Sequence, residues 1–457
     1  MNVEVAVVGA GACGLAAAIA AADAGAEVAI LEKLDRPGGN TALSTGSVPG
    51  AGTRFQREAG IEDSPERLIR DLTAIAGESD HPALLARLAH LSAPTVEWLI
   101  DHVGCRMQLI TAYRHIGHSV PRLHAPVSRR GQDLFDDLRA ATEARGIPLA
   151  TGNSVVALSS AGGAVTGVEI ETRDGRRERI AAGKVILAAN GYAGDRSLVS
   201  RFCPEIAGAR YFGALGSTGE AIRWGEALGA ALGNMGAYQG YAAVSDPHGS
   251  LLSWTTIEKG GIIVDATGRR FGDESAGYSG FTPRVMAAGP GCMAIFDQRI
   301  FDVAALEEEF VELARYGGFK SGATIEAAAQ AAGLPAGIVA DEVAAYNRAA
   351  VGSGADRHGR RDFGLGPLAG PFYVCRIVPG LFHTQGGLMI DLDARVVRAD
   401  GEPIPNLFAG GGAAVGISGR RGASGYASGN GLLTALALGR VAGLTAAREL
   451  GKDVPHV

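Results

Sequence analysis

At 457 residues, with 68 glycines and a net charge of −6, the chain is long enough for two or three lobes around a large core, and its glycine usage is roughly twice the ordinary level without a repeating period. No block of like charge marks a nucleic-acid track or a membrane-surface patch, so a small soluble ligand is the expected partner. Five cysteines, at positions 13, 105, 203, 292 and 375, are scattered, odd in number and without CxxC spacing, which excludes a disulfide framework and a zinc site and predicts a cytoplasmic protein.

Met1 leads directly into the strand-like VEVAVVGA, and no apolar run reaches the ~18 residues of a membrane span, so neither export nor insertion is expected. Residues 3–33 then read as a β-branched strand ending at Gly9, the pattern Gly9-x-Gly11-x-x-Gly14, an Ala-rich helix stopped by Gly25, a second strand, and Glu32 at its end. Each glycine has a physical reason: a tight turn, close approach to a pyrophosphate, and close packing of helix on strand. The phosphates would rest on the helix N-terminus, and Glu32, 18 residues after Gly14, is placed to hold ribose hydroxyls and disfavours NADP. Ala10 and Cys13 lie within the turn and Lys33 follows the acid, so all three join the candidate cofactor contacts. Cys13 is most simply a small residue packed beneath the phosphates. A βαβ unit can be purely structural, but this order and spacing of elements favours a dinucleotide.

Residues 35–52, DRPGGNTALSTGSVPGAG, hold five glycines and several hydroxyls where a compact NAD-binding unit would continue with a helix. Here the chain resembles the FAD-dependent fumarate reductase and succinate dehydrogenase flavoprotein family. The resemblance implies that Gly38, Gly39, Asn40, Thr41, Ser44, Thr45 and Gly46 run beside the ribityl chain and isoalloxazine. Membrane-bound members carry a histidine for covalent flavin attachment where this chain has Asn40, so the resemblance implies non-covalent FAD. Farther on, YRHIGHSVPRLH at 113–124 sets out His115, His118 and His124. They suggest either a metal or a loop bordering the cleft, and without a nearby cysteine or paired carboxylates the loop is favoured.

The resemblance continues through VVALSS at 155–160, with Val156, then AVTGVEIE and KVILAANGYAGD, where Ala189, Asn190 and Gly191 would lie near the adenine end. GSTGEAIRWGEALGA at 216–230 is similar to the family's helix that begins near the flavin. IPNLFAGGGAA at 404–414, with Gly410 and Gly411, and SGNGLLTALALGRVAG at 428–443, with Ser428, Asn430 and Leu432, are similar to its closing motif; Gly386 joins the same group. An apolar helix starting near Gly431 would aim its N–H groups at what precedes it, as an anion-binding turn does. Trp98, Trp224 and Trp254 are read as core residues.

Residues 238–382 have more charge and fewer glycines, with helical stretches FDVAALEEEFVELARYGGF and ATIEAAAQAAGLPAGIVADEVAAYNRAA. The expected fold is therefore α/β (α+β overall): a Rossmann-like FAD-binding domain, residues 1–237 and 383–457, with an inserted substrate-capping domain, 238–382. The family implies a substrate site in the cleft between the lobes.

Fumarate reductases of this family bind a C4 dicarboxylate with two arginines and two histidines. Aligning GRRF and Glu274 in GGIIVDATGRRFGDESAGYSGF puts Tyr278 where the proton-donating arginine would be, and aligning Asn430 puts Tyr426 of SGYASGNG where the second arginine would be. One histidine survives as His383, and the other is missing from YQGY at 238–241. Without that pair of cations a dianion is costly to desolvate, and a neutral ketone is the better-matched ligand. A phenol can donate to a ketone oxygen and stabilise an enolate, while a second phenol takes the α-proton and flavin accepts hydride from the β-carbon. Tyr278, Tyr426 and Ser428 together resemble the 3-ketosteroid Δ4-(5α)-dehydrogenase branch, and more loosely the Δ1 enzymes and cyclic-ketone desaturases. That resemblance implies Tyr278 as base, relayed through Ser428, and Tyr426 as the group polarising the carbonyl, with His383 touching flavin or substrate. Two rivals stay open. An enoate or dicarboxylate reductase, of fumarate, tricarballylate or urocanate type, would need Arg284, Arg420 or Arg421 to turn inward. A non-catalytic flavin electron carrier is disfavoured by the absence of a haem or iron–sulfur motif. The electron acceptor is not specified, and monomer and dimer are both compatible with the sequence.

Overall fold

The computed structural model describes residues 2–112 and 114–454; Tyr113, which opens the histidine-bearing stretch, and the extreme ends of the predicted domains lie outside them. The chain divides into two compact units, one formed by residues 1–204, 213–238 and 383–457, the other by 205–212 and 239–382.

In the first unit an eight-stranded sheet runs in the order Arg395–Val397, Pro403–Ala409, Arg177–Leu187, Asn2–Val8, Val28–Leu31, Leu149–Ala150, with Ser154–Ala161 and Ala164–Glu171 attached as a hairpin beside Arg177–Leu187. Strand Asn2–Val8 pairs in parallel with Val28–Leu31 on one side and Arg177–Leu187 on the other. Their β-branched residues Val5, Val7, Ile30 and Ile186 are completely buried, as expected for strands covered on both faces. Strand Arg177–Leu187 is long because it has two tasks: its first half closes the antiparallel meander, and its second half returns into the parallel sheet.

Helix Ala12–Asp23 and helix Asn430–Glu449 cross that sheet in intimate contact. A Cβ on Gly439 would lie 2.4 Å from the carbonyl oxygen of Cys13, so only glycine allows the two backbones this approach. Helix Asn430–Glu449 spans 20 residues and is long and apolar enough to cross a membrane, against the expectation that no such run occurs. Yet 78% of its apolar window is buried inside the protein, as befits a core helix.

In the second unit the strands Ile262–Val264, Met293–Asp297, Phe372–Thr384 and Gly236–Ser245 form a sheet in that order, the latter pair carrying the chain to and from the first unit. Segment 205–212, expected in the FAD-binding domain, belongs here instead, because Arg210–Tyr211 pairs in parallel with Gly380–Leu381. The expected helical stretches become helices Gln298–Ala304, Glu308–Arg315, Ile325–Ala331 and Ala336–Ala350. At the unit's centre Glu274, fully buried, accepts from Arg270 Nε at 2.9 Å and Nη2 at 2.7 Å, and from Ile263 N at 3.1 Å. The GRRF segment thus anchors the short turn that carries Tyr278.

Candidate active site

The glycine turn is built as its spacing requires. Gly9 has φ of 107° and donates to Leu31 O at 2.8 Å, and a Cβ on Gly14 would fall 1.8 Å from Gly9 O. Beside Gly11 the nearest atom to a Cβ would be Thr41 Oγ1 at 3.7 Å, so the turn is open on that face, and no side chain caps the helix there. Glu32 accepts from Ala10 N and Leu34 N, each at 2.9 Å, tying the turn to the loop after it while keeping lone pairs for ribose hydroxyls. Lys33, by contrast, is engaged: its ammonium meets Glu220 Oε1 at 2.5 Å and Thr218 Oγ1 at 2.8 Å, which locks segment 216–230 to the turn. Cys13 packs inward, where a Cβ on Gly410 would come within 2.7 Å of its sulfur; burial pushes its thiol up to about 12.

The loop from Gly38 to Gly46 wraps around this turn. Thr41 Oγ1 accepts from Ala12 N at 3.0 Å, Asn40 Oδ1 accepts from Ala214 N at 2.7 Å, and Ser44 Oγ accepts from Gly46 N at 3.0 Å. Thr45 and Ser47 hydroxyls are 2.9 Å apart. Asn190, at φ 64°, donates to Ser217 Oγ at 2.8 Å and receives Gly191 N at 3.0 Å, which fixes the bend after Ala189. Val156 O accepts from Trp224 Nε1 at 3.3 Å.

The closing motif gathers His383, Tyr426, Ser428 and Asn430. Strand Phe372–Thr384 delivers His383 and the turn before helix Asn430–Glu449 delivers Tyr426; their rings meet edge-on with centroids 5.7 Å apart. His383 is neutral at ordinary pH, because burial lowers its pKa to about 4. Gln385 Nε2 lies 3.0 Å from its Nδ1, Ser418 Oγ donates to Gln385 Oε1 at 3.1 Å, and Asn430 Nδ2 donates to Ser418 Oγ at 3.4 Å. Asn430 Oδ1 is buried and has no hydrogen-bond partner within the protein. Leu432 is half-buried in the first turn of the helix, while Gly410 and Gly411 stack against Cys13. Gly386 packs on the backbone of Asn234 and Met235.

Arg420 and Arg421 do not turn inward. Arg420 and Arg421 are both exposed, and Arg420 is paired with Asp80 Oδ1 at 2.7 Å and Glu78 Oε2 at 3.1 Å.

The histidine-bearing loop has a specific task that spacing alone did not show. Ser428 N donates to Ile116 O at 3.0 Å, and His118 Nε2 lies 2.8 Å from Ser428 O. His118 Nδ1 accepts from Arg122 Nη1 at 2.9 Å, and the fully buried Arg122 is held by Asp63 at 2.7 Å and Asp71 at 2.9 Å. Burial lowers His118 to about 4, so it is a neutral Nε2–H donor to the Tyr426 loop. His124 is used elsewhere, between Thr53 Oγ1 at 3.1 Å and Arg122 O at 3.0 Å. Among the described residues no group of three or more His, Cys, Asp or Glu could hold a metal ion.

In the second unit Tyr278 stands in an aromatic cluster. Tyr241 stacks on it at 5.2 Å and on Phe382 at 5.5 Å, Trp254 meets it edge-on at 6.3 Å, and Phe212 adjoins Phe382 at 6.2 Å. Tyr241 donates to Leu252 O at 2.9 Å, and burial raises its pKa far above the ordinary value. Helix residue Ser279 fixes the turn by accepting from Gly240 N at 3.1 Å. Arg284 is exposed, its side chain lying along Gly272.

Residues 4–429 match the family model for the FAD binding domain. The chain belongs to that family. It is 29% identical over 452 residues to a probable fumarate reductase of Shewanella frigidimarina, covering 98% of this chain and 75% of the relative. It is 31% identical over 423 residues to urocanate reductase of Eggerthella lenta, covering 90% of this chain and 69% of the relative. Among solved structures, the 3-ketosteroid-Δ4-(5α)-dehydrogenase of Rhodococcus jostii RHA1, in complex with 4-androstene-3,17-dione, superposes with a TM-score of 0.77 at 26% identity, over 98% of this chain and 97% of that one.

This FAD-binding protein is accordingly an FAD-dependent oxidoreductase of the family acting on CH–CH bonds. Its residues fit the cofactor: the open face at Gly11, the helix start closed up by Gly14, the acid at Glu32, and a buried acceptor, Asn430 Oδ1, left for a donor on a bound group. Gln385, Ser418 and Arg122 carry no motif, and only the folded contacts bring them to the site.

Proposed function

We propose that this enzyme desaturates a ketone, a 3-ketosteroid or a smaller cyclic ketone, to the α,β-unsaturated ketone. The observation that carries this reading is the charge of the closing motif: Tyr426 and His383 are neutral hydrogen-bonding groups, and both adjacent arginines face away, one of them neutralised by Asp80 and Glu78. Neither Tyr426 nor His383 offers a cation to a dicarboxylate, whose unpaired charge would cost several kcal/mol to desolvate. A ketone oxygen requires only neutral donors.

In this reading Tyr426 donates its phenol O–H to the ketone oxygen and, with a backbone N–H, stabilises the enolate as it forms. Tyr278, assigned by its resemblance to the ketosteroid branch, takes the α-proton, with Ser428 as relay. Bound FAD supplies the acceptor for the hydride leaving the β-carbon. With Asn40 standing where covalent members have histidine, the FAD is non-covalent, and acid precipitation should release all of the yellow colour to the supernatant.

The second reading, reduction of an enoate, is favoured by the identity to a urocanate reductase and to a probable fumarate reductase. Anaerobic titration separates the two. A 3-ketosteroid or cyclohexanone should bleach the flavin band near 450 nm, succinate should leave it unchanged, and Tyr278→Phe should abolish the bleaching with flavin still bound. Bleaching by succinate alone would replace the ketone reading with the enoate one.

A further inference from the structure

We infer that Gln385 is a positioning residue that fixes which nitrogen of His383 carries the proton, so that the imidazole offers Nε2–H to an acceptor oxygen of the substrate. The direction follows from a chain of contacts within the first unit. Asn430 Nδ2 can only donate, and it makes a long hydrogen bond, 3.4 Å, to Ser418 Oγ. The Ser418 hydroxyl in turn donates a hydrogen bond to Gln385 Oε1 at 3.1 Å. With its oxygen used in this way, the Gln385 amide turns its NH2 to His383 Nδ1 at 3.0 Å, and that nitrogen must accept. The competing acceptor for a proton on Nδ1, Thr384 O, stands 3.4 Å away, farther than Gln385 Nε2 at 3.0 Å.

The other edge of the ring faces the start of helix Asn430–Glu449. A Cβ on Gly431 would lie 3.4 Å from His383 Cε1 and 3.5 Å from Nε2. Gly431 therefore sets no side chain against that edge, and the His383 ring stands edge-on to the Tyr426 ring with centroids 5.7 Å apart. The inference deepens the ketone reading, on which its kinetic arm rests, whereas the tautomer itself is a property of the protein alone. It gives His383 the work of a donor to oxygen and removes it from the candidates for general base.

The test is nitrogen NMR on FAD-loaded protein labelled with 15N-histidine at pH 7, the His383 signals being those missing from His383→Gln. The expected pair is a pyridine-like Nδ1 and a pyrrole-like Nε2. Gln385→Glu, which replaces the donor with an acceptor of the same shape, should move the proton to Nδ1 and exchange the two signals. Gln385→Met, which can neither donate nor accept, should leave averaged shifts. Both variants should lower kcat/KM for the ketone on the order of 10-fold or more. A pyrrole-like Nδ1 in the unmodified protein, or His383 signals identical in all three proteins, would overturn the inference. The expected shifts in a protein whose flavin no ketone bleaches would uphold it and overturn only the ketone reading.

Discussion

The imidazole of His383 meets the ring of Tyr426 edge-on, at 5.7 Å and an interplanar angle of 73°, although 42 residues separate the two in sequence. The ring contact and the phenol are separable. Tyr426→Phe keeps the aromatic pair, so flavin content and melting temperature should stay close to those of the unaltered protein. Ketone oxidation should fall about 10²–10³-fold, the usual effect of deleting one oxyanion donor. Stopped-flow bleaching at saturating ketone measures this, and an undiminished rate would remove Tyr426 from the chemistry.

Tyr278 offers a different separation. Its ring is held by Tyr241 at 5.2 Å and Trp254 at 6.3 Å, contacts that phenylalanine preserves. If its phenolate takes the α-proton, the enzyme should exchange the α-hydrogens of a bound ketone with D2O under anaerobic conditions. Tyr278→Phe should lose that exchange while Tyr426→Phe only slows it. Mass spectrometry of recovered ketone reads the outcome, and exchange that survives in Tyr278→Phe would assign the base elsewhere.

The brace under the Tyr426 loop makes a prediction about stability. Arg122 is fully buried between Asp63 and Asp71 and holds His118 against Ser428 O. Arg122→Met leaves Asp63 without its charge partner in the interior, which should cost about 3–5 kcal/mol. Urea denaturation should show a lower midpoint with an unchanged slope. His118→Gln, which spares the ion pairs, should cost less and show its larger effect on kcat, because it loosens the loop that carries Tyr426.

The parts of this architecture that were legible in the sequence are those set by neighbours along the chain. The Gly9-x-Gly11-x-x-Gly14 turn and Glu32 could be read because strand period, tight turn and helix follow one another within 30 residues. The partners that hold Arg420 outward, Glu78 and Asp80, could not, since they stand more than 300 positions away in the chain. The same is true of the His118 imidazole and the Ser428 carbonyl, and of Gln385 and Ser418, whose polar side chains are ordinary until folding removes water and leaves each as the other's partner. The sheet of the second unit was also missed, because short apolar runs such as Ile262–Val264 carry no period that distinguishes strand from buried helix. Segment 205–212 was assigned to the wrong unit for a related reason: two paired residues determine its place.

Acid should destabilise the protein through its histidines. Burial lowers His115 to about 3 and His118, His124 and His383 to about 4, all from an ordinary 6.5. Between those values the unfolded chain binds protons that the native state refuses, so stability falls as pH drops from about 6.5 toward 4, by up to about 1.4 kcal/mol per pH unit for each histidine. Glu258 works in the opposite sense: burial raises it from 4.5 to about 7, so the native state holds its proton in the same window. Four histidines outweigh Glu258 and Glu309, which burial also raises, and the urea midpoint should decline steadily from pH 7 to pH 5. Replacing His124, which is held between Thr53 Oγ1 and Arg122 O, with glutamine should remove one histidine's share of that slope. A midpoint independent of pH over this range would mean that these imidazoles are charged or solvated in the native protein, and His383 could not then be the neutral donor that the ketone reading requires.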